Sequence, residues 1–102
     1  MDKSSYGKRA DGTKKDTGFL GELKRPDGTV STELSIGIEI DGQERDIPLL
    51  VPGLDKMEIQ WLLNTPAENI ASDVPRNILD KAVAHARDRL KAGKSPFYKS
   101  GE

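Results

Sequence analysis

Cysteine is absent from this 102-residue chain, and histidine occurs once. Without cysteine there is no disulfide framework and no thiolate zinc site, and one histidine leaves a transition metal little but carboxylates. Aromatic residues are scarce, one Trp, two Tyr and two Phe. A core must therefore come mainly from Ile, Leu and Val, and stability should be modest. No apolar run approaches the length of a membrane span. The stretch MDKSSYGKRADGTKKD lacks the apolar segment of a secretory signal. A net charge of −1 supplies no global field for DNA or an anionic membrane. No glycine-rich phosphate loop and no Ser or Cys nucleophile motif is found. No cofactor, no metal and no enzymatic activity are expected.

What is present suits one small domain: 34% hydrophobic and 32% charged residues, lean but not a disordered composition. Charge is unevenly spread. Residues 1–25 carry seven Lys/Arg against four Asp/Glu, residues 26–74 two against ten, and residues 75–102 seven against three. The acidic middle and the basic end can complement each other within one fold, or leave one cationic face for a partner.

Residues 1–17 hold almost nothing to bury and read as a disordered basic tail, and residues 99–102 as a frayed end. The domain is expected over 18–98. Gly21 to Arg25 reads as a short strand, followed by the turn Arg25-Pro26-Asp27-Gly28-Thr29. Val30, Thr32, Leu34, Ile36, Ile38 and Ile40 then alternate with polar residues, a half-buried strand. Asp41-Gly42 predicts a two-residue hairpin that sets Ile40 against Gln43, Ile38 against Arg45, Ile36 against Ile47 and Leu34 against Leu49. Pro48 falls opposite Ser35 and makes its strand an edge. With residues 19–25 on the other side, the expectation is a three-stranded antiparallel meander.

Asp55 and Glu58 form a capping-box pattern that starts a helix, with Met57, Trp61 and Leu62 on its apolar face and Trp61 at the centre of the core. Thr65-Pro66 should cap a short helix of about one turn. A final helix over roughly 74–92 buries Ile78, Leu79, Ala82, Val83, Ala86 and Leu90 and ends at Gly93. The fold class is α+β, β-β-β-α-short α-α, with the helices on one face of the sheet.

Chemistry is sparse. His85 lies at the margin of the last helix's apolar stripe, without a partner base or nucleophile, and reads as a packing residue. Glu39, Asp41, Glu44 and Asp46 crowd the hairpin tip but lack the alternating ligands of a calcium loop. Nucleic-acid binding is the alternative, through Lys8, Arg9, Lys14 and Lys15 of the tail with Arg87, Lys91 and Lys94 of the last helix. No aromatic pair on a strand accompanies these cations.

Several stretches in combination carry a resemblance. They are Arg9 to Thr13 with Gly18 to Leu23, Arg25 to Gly28 with Val30 to Gly37, Ile47 to Pro52, and Ala82 to Arg87 with Ala92 to Phe97. This arrangement resembles a small domain of tailed-bacteriophage and prophage proteins, which also occurs within large virion polypeptides of short-tailed phages. It covers roughly residues 8–97. A departure lies at Val51 to Asp55, where a Thr-rich helix cap is expected and Asp55 stands instead. The resemblance carries over no catalytic residue. It implies a phage or prophage origin, a place in the bacterial cytoplasm or the virion, and an interaction role. The partner would be a virion or host protein, and no oligomeric state is implied. The match is closest at Ile47 to Pro52 and Lys94 to Phe97, so Ile47, Pro48, Leu50, Val51, Lys94, Pro96 and Phe97 are the expected partner contacts.

Overall fold

The computed structural model describes residues 8–9 and 12–99. It is a small α+β domain built from β1 (Leu23–Lys24), β2 (Val30–Ser31), β3 (Ser35–Ile40), β4 (Gln43–Pro48), α1 (Lys56–Asn64), α2 (Ala67–Asp73) and α3 (Arg76–Lys91). The strands form two separate antiparallel pairs, β1 with β2 and β3 with β4. The expected three-stranded meander is therefore not what forms.

The β3–β4 hairpin follows the register that alternation predicts, from Ile40 opposite Gln43 to Ser35 opposite Pro48. Asp41 and Gly42 both take positive φ, 52° and 83°, as a type I′ turn requires. The Leu49 N–H donates to the Leu34 carbonyl at 2.6 Å, which extends the ladder one pair further. Ser35 and Pro48 consequently form a non-hydrogen-bonded pair. The missing N–H of Pro48 costs the ladder nothing.

The long alternating run breaks at residues 32–34. Val30 is 44% exposed, whereas Ser31, Thr32 and Glu33 are buried. A continuous strand would have turned Ser31 and Glu33 to solvent. Two features hold the break. Glu33 is drawn inward by partners described below. Gly18, at φ 75°, passes so close to the Thr32 carbonyl oxygen that a Cβ there would overlap it. The β1–β2 hairpin turns at Pro26 and at Gly28 (φ 87°). The Asp27 carboxylate accepts from the Thr29 hydroxyl (2.6 Å) and the Thr29 N–H (2.9 Å), and these bonds, the hydroxyl first, lower its pKa.

The core joins Ile36, Ile40, Ile47 and Leu49 to Leu50 and Leu62, Ile70 from α2, and Ile78, Ala82 and Ala86 from α3. The α3 residues recur at i+4 on one stripe, and α3 lies against β4. Trp61 is half-buried at the rim and Leu62 holds the centre, while Met57 is 79% exposed. Trp61 still packs against the core from its rim, whereas Met57 faces solvent, and the next residue after each, Leu62 and Glu58, is the buried one.

Glu58 ties α1 to α3. It completes the capping box with Asp55, each side chain bonding the other's backbone N–H at 2.8 Å. It also accepts from Asn77 Nδ2 and Lys81 Nζ, both at 2.5 Å. The Lys81 bond first, then the Asp55 N–H, lower its pKa, against the opposing effect of burial. Thr65 closes α1 and does not open α2: its N–H and hydroxyl both donate to the Trp61 carbonyl. Helix α2, preceded by Pro66, runs for seven residues, about two turns and not one. At the end of α3 the Lys94 N–H reaches the Arg89 carbonyl and the Gly93 N–H the Leu90 carbonyl, with Gly93 at φ 77°. That is a Schellman motif.

Of the expected tail, residues 1–7, 10 and 11 lie outside the described residues, as do 100–102 of the expected frayed end. Within the described part, Arg9 and Asp16 contact the domain through Glu33.

Gly18→Ala is expected to destabilise the fold by at least about 2 kcal/mol, from the positive φ and the carbonyl overlap together. Gly12→Ala, also at positive φ but with open space around it, should cost only about 1 kcal/mol. Urea unfolding of both variants checks this; equal losses would remove the close approach from the account.

Candidate functional site

The expected partner contacts are not a surface. Ile47, Leu50 and Val51 are at most 1% exposed, Pro48 is fully buried, and Phe97 is 8% exposed. Pro96 is buried as well, and of the seven only Lys94 is exposed. The physical reason is the β4 register, which points Ile47 and Leu49 into the core and carries Leu50 and Val51 in behind them.

The C-terminal segment is held by two guanidinium groups. Arg89 donates to the carbonyls of Ser95 and Phe97, both at 2.8 Å, and stands 5.0 Å from the centre of the Phe19 ring. Arg9 lies 4.6 Å from the centre of the Phe97 ring. Its main bond is to Glu33: Nε to Oε1 at 2.9 Å and Nη2 to Oε2 at 2.8 Å. The Asp16 N–H adds a third bond to Glu33 at 3.1 Å. The Glu33 side chain is 2% exposed and that of Arg9 17%. A bidentate, charge-assisted pair of this kind is geometrically demanding and suits arginine.

Among the cations considered for nucleic acid, Arg9 is thus committed to Glu33. Arg87 lies 3.7 Å from Asp41 at the hairpin tip. Lys15 is half-buried, and Lys8, Lys14, Lys91 and Lys94 are exposed. Lys8 and Lys14 face each other across a β-bridge.

His85 packs edge-on to Phe19, ring centres 4.5 Å apart. Its Nδ1 is buried and has no hydrogen-bond partner among the described residues. Burial first, and the Arg89 charge second, lower its pKa, with Asp88 opposing. The half-buried ring packs against Phe19 with its Nδ1 turned away from solvent. No group of three or more His, Asp or Glu side chains among the described residues is placed to hold a metal ion.

The surface that the fold does leave open is the outer side of the β3–β4 pair. Ser35, Gly37, Glu39, Glu44 and Asp46 are all exposed. Because Leu34 and Ile40 belong to hydrogen-bonded pairs, so do Ile36 and Ile38, and the backbone groups of Ser35, Gly37 and Glu39 point away from β4. Among the described residues no backbone group bonds to them. Gly37 leaves a gap in the side-chain layer: a Cβ there would stand 3.3 Å from Asp46 Oδ1 and 3.8 Å from Glu44 Oε1. Glu39, Glu44 and Asp46 have no ion-pair partner among the described residues. The alternation in the sequence signals this acidic face, whereas the open edge follows from where residues 19–25 go. The Arg9–Glu33 pair, 24 residues apart, had no local signal at all.

Comparison with protein-family models, with curated proteins and with solved structures found no match. Among the described residues no helix is long and apolar enough to cross a membrane.

Arg9→Ala leaves a buried carboxylate without its counter-charge and is expected to cost about 3 kcal/mol. The double variant Arg9→Met with Glu33→Leu should recover most of that loss, as measured by urea unfolding. An Arg9→Ala chain as stable as the parent would show that the pair does not hold the N-terminal segment.

His85 predicts a pH dependence. A base whose folded pKa lies below its unfolded one takes up a proton on unfolding between the two values. Its stabilising contribution is present above the unfolded value, about 6.5, and is lost as pH falls through the folded one. Melting temperature should therefore drop as pH falls below that point, and His85→Gln should flatten this part of the profile. An identical profile for the variant would contradict it.

Proposed function

We propose that this chain is a non-enzymatic interaction module of phage or prophage origin, associated with a virion or acting on a host protein. The origin rests on the resemblance of its motifs to the tailed-phage domain. The interaction role rests on one observation above all: among the described residues no strand pairs with the outer edge of β3, and the acidic face beside it has no ion-pair partner. Strand edges are templates for pairing and are usually blunted or covered unless a partner uses them. Of the stretches of closest resemblance, Ile47 to Pro52 and Lys94 to Phe97, residues 47–51, Pro96 and Phe97 are buried, so binding falls to the sheet's outer side. The non-enzymatic reading is supported by His85, whose ring packs edge-on against Phe19. A place in the bacterial cytoplasm or the virion follows from the same proposal.

The exposed pair Lys8 and Lys14, with Lys91 and Lys94, keeps nucleic acid as the competing partner. Affinity capture with the full chain, from nuclease-treated bacterial lysates and tailed-phage virions, separates the two. The expected result is a protein that rebinds when purified, at defined stoichiometry. Recovery of nucleic acid alone, abolished by nuclease, would overturn the interaction-module reading.

A further inference from the structure

Among the described residues, strand β3 has one edge paired with β4 and one edge unpaired. We infer, building on the interaction-module reading, that the unpaired edge accepts an extended, cationic segment of a partner protein as a third strand. The backbone groups of Ser35, Gly37 and Glu39 supply the hydrogen bonds, since they point away from β4. Glu39, Glu44 and Asp46 supply the charge complementarity.

The site also dictates the side-chain pattern of the segment. Side chains of an added strand alternate between the two faces of the sheet. On the outer face, Gly37 offers no side chain to block the way, and the carboxylates of Asp46 and Glu44 border the space its Cβ would fill. A long cationic side chain of the added strand can cross Gly37 and reach Asp46. On the inner face, Ile38 is only half-buried at this edge, so the alternate positions favour apolar side chains. The segment is thus one in which Lys or Arg alternates with an apolar residue.

A second copy of this chain is the wrong occupant. Pairing two β3 edges antiparallel about Gly37 would set the carboxylates of both copies on the same outer face. Like charges at that range repel and destabilise a cross-strand pair.

The test is fluorescence anisotropy of the full chain with a labelled peptide alternating lysine and valine, about six residues long, the usual strand length. Strand addition uses only every second amide of the added segment. N-methylation of one alternate set should therefore weaken binding roughly tenfold or more, while methylation of the other set is tolerated. An alternating glutamate and valine peptide should not bind, and binding of the lysine peptide should weaken with salt. Gly37→Thr should also weaken binding roughly tenfold while leaving the circular dichroism spectrum and melting temperature at or above those of the parent, because threonine favours a strand more than glycine does. Equal binding of both methylated peptides would reduce the effect to non-specific charge attraction and overturn the proposal. So would failure of the lysine peptide to bind, or a concentration-dependent dimer in its place. If the peptide fails but a captured protein rebinds, this inference falls and the interaction-module reading stands.

Discussion

A single buried carboxylate organises the chain. Glu33 has left solvent, and a charge in that position is tolerable only if fully partnered. Arg9 meets it with two nitrogens and the Asp16 backbone with a third donor. That arrangement pins the N-terminal segment over residues 32–34, where Gly18 allows the backbones to touch. It also places Arg9 on the Phe97 ring, so the beginning, the middle and the end of the domain meet at one residue.

The consequence is topological. A strand from Val30 to Ile40 without interruption would have had one long edge for residues 19–25 to cover. With Glu33 turned inward, the run divides into β2 and β3. Residues 23–24 pair with β2, and Arg25 reaches from that hairpin to the Thr65 carbonyl at the end of α1. Among the described residues no strand pairs with the outer edge of β3. What looks like a missing strand is the same fact as the buried ion pair, viewed from the other side of the sheet. Like charge on the acidic residues that flank this edge disfavours pairing with a second copy of it.

The two hairpin turns, the β3–β4 register, the Asp55–Glu58 capping box and the α3 terminus at Gly93 were all legible in the sequence. Each is specified by residues within a few positions of one another, where φ preference, period and capping chemistry act directly. Glu33 was not legible. It sits at a polar position of a period-two run, and alternation assigns it to solvent. Only a cation 24 residues away overrides that assignment. Trp61 was misplaced for a related reason: size favours it as the core centre, but the angular position of Leu62 on α1 decides which of two adjacent residues faces the sheet. The candidate contact surface failed most fully, because the stretch from Ile47 to Val51 is distinctive for packing and not for binding. The acidic outer face was visible from alternation, yet its open edge depends on a pairing choice made elsewhere in the chain.

Amide hydrogen exchange along β3, followed residue by residue by NMR, reads whether its outer edge is covered. If the edge is open, Ile36, Ile38 and Ile40 are protected by their bonds to β4, while Gly37 and Glu39 exchange fast, giving an alternating pattern along one strand. Uniform protection from Ile36 to Ile40 would mean that a third strand covers β3, and would contradict both the divided sheet and the docking edge.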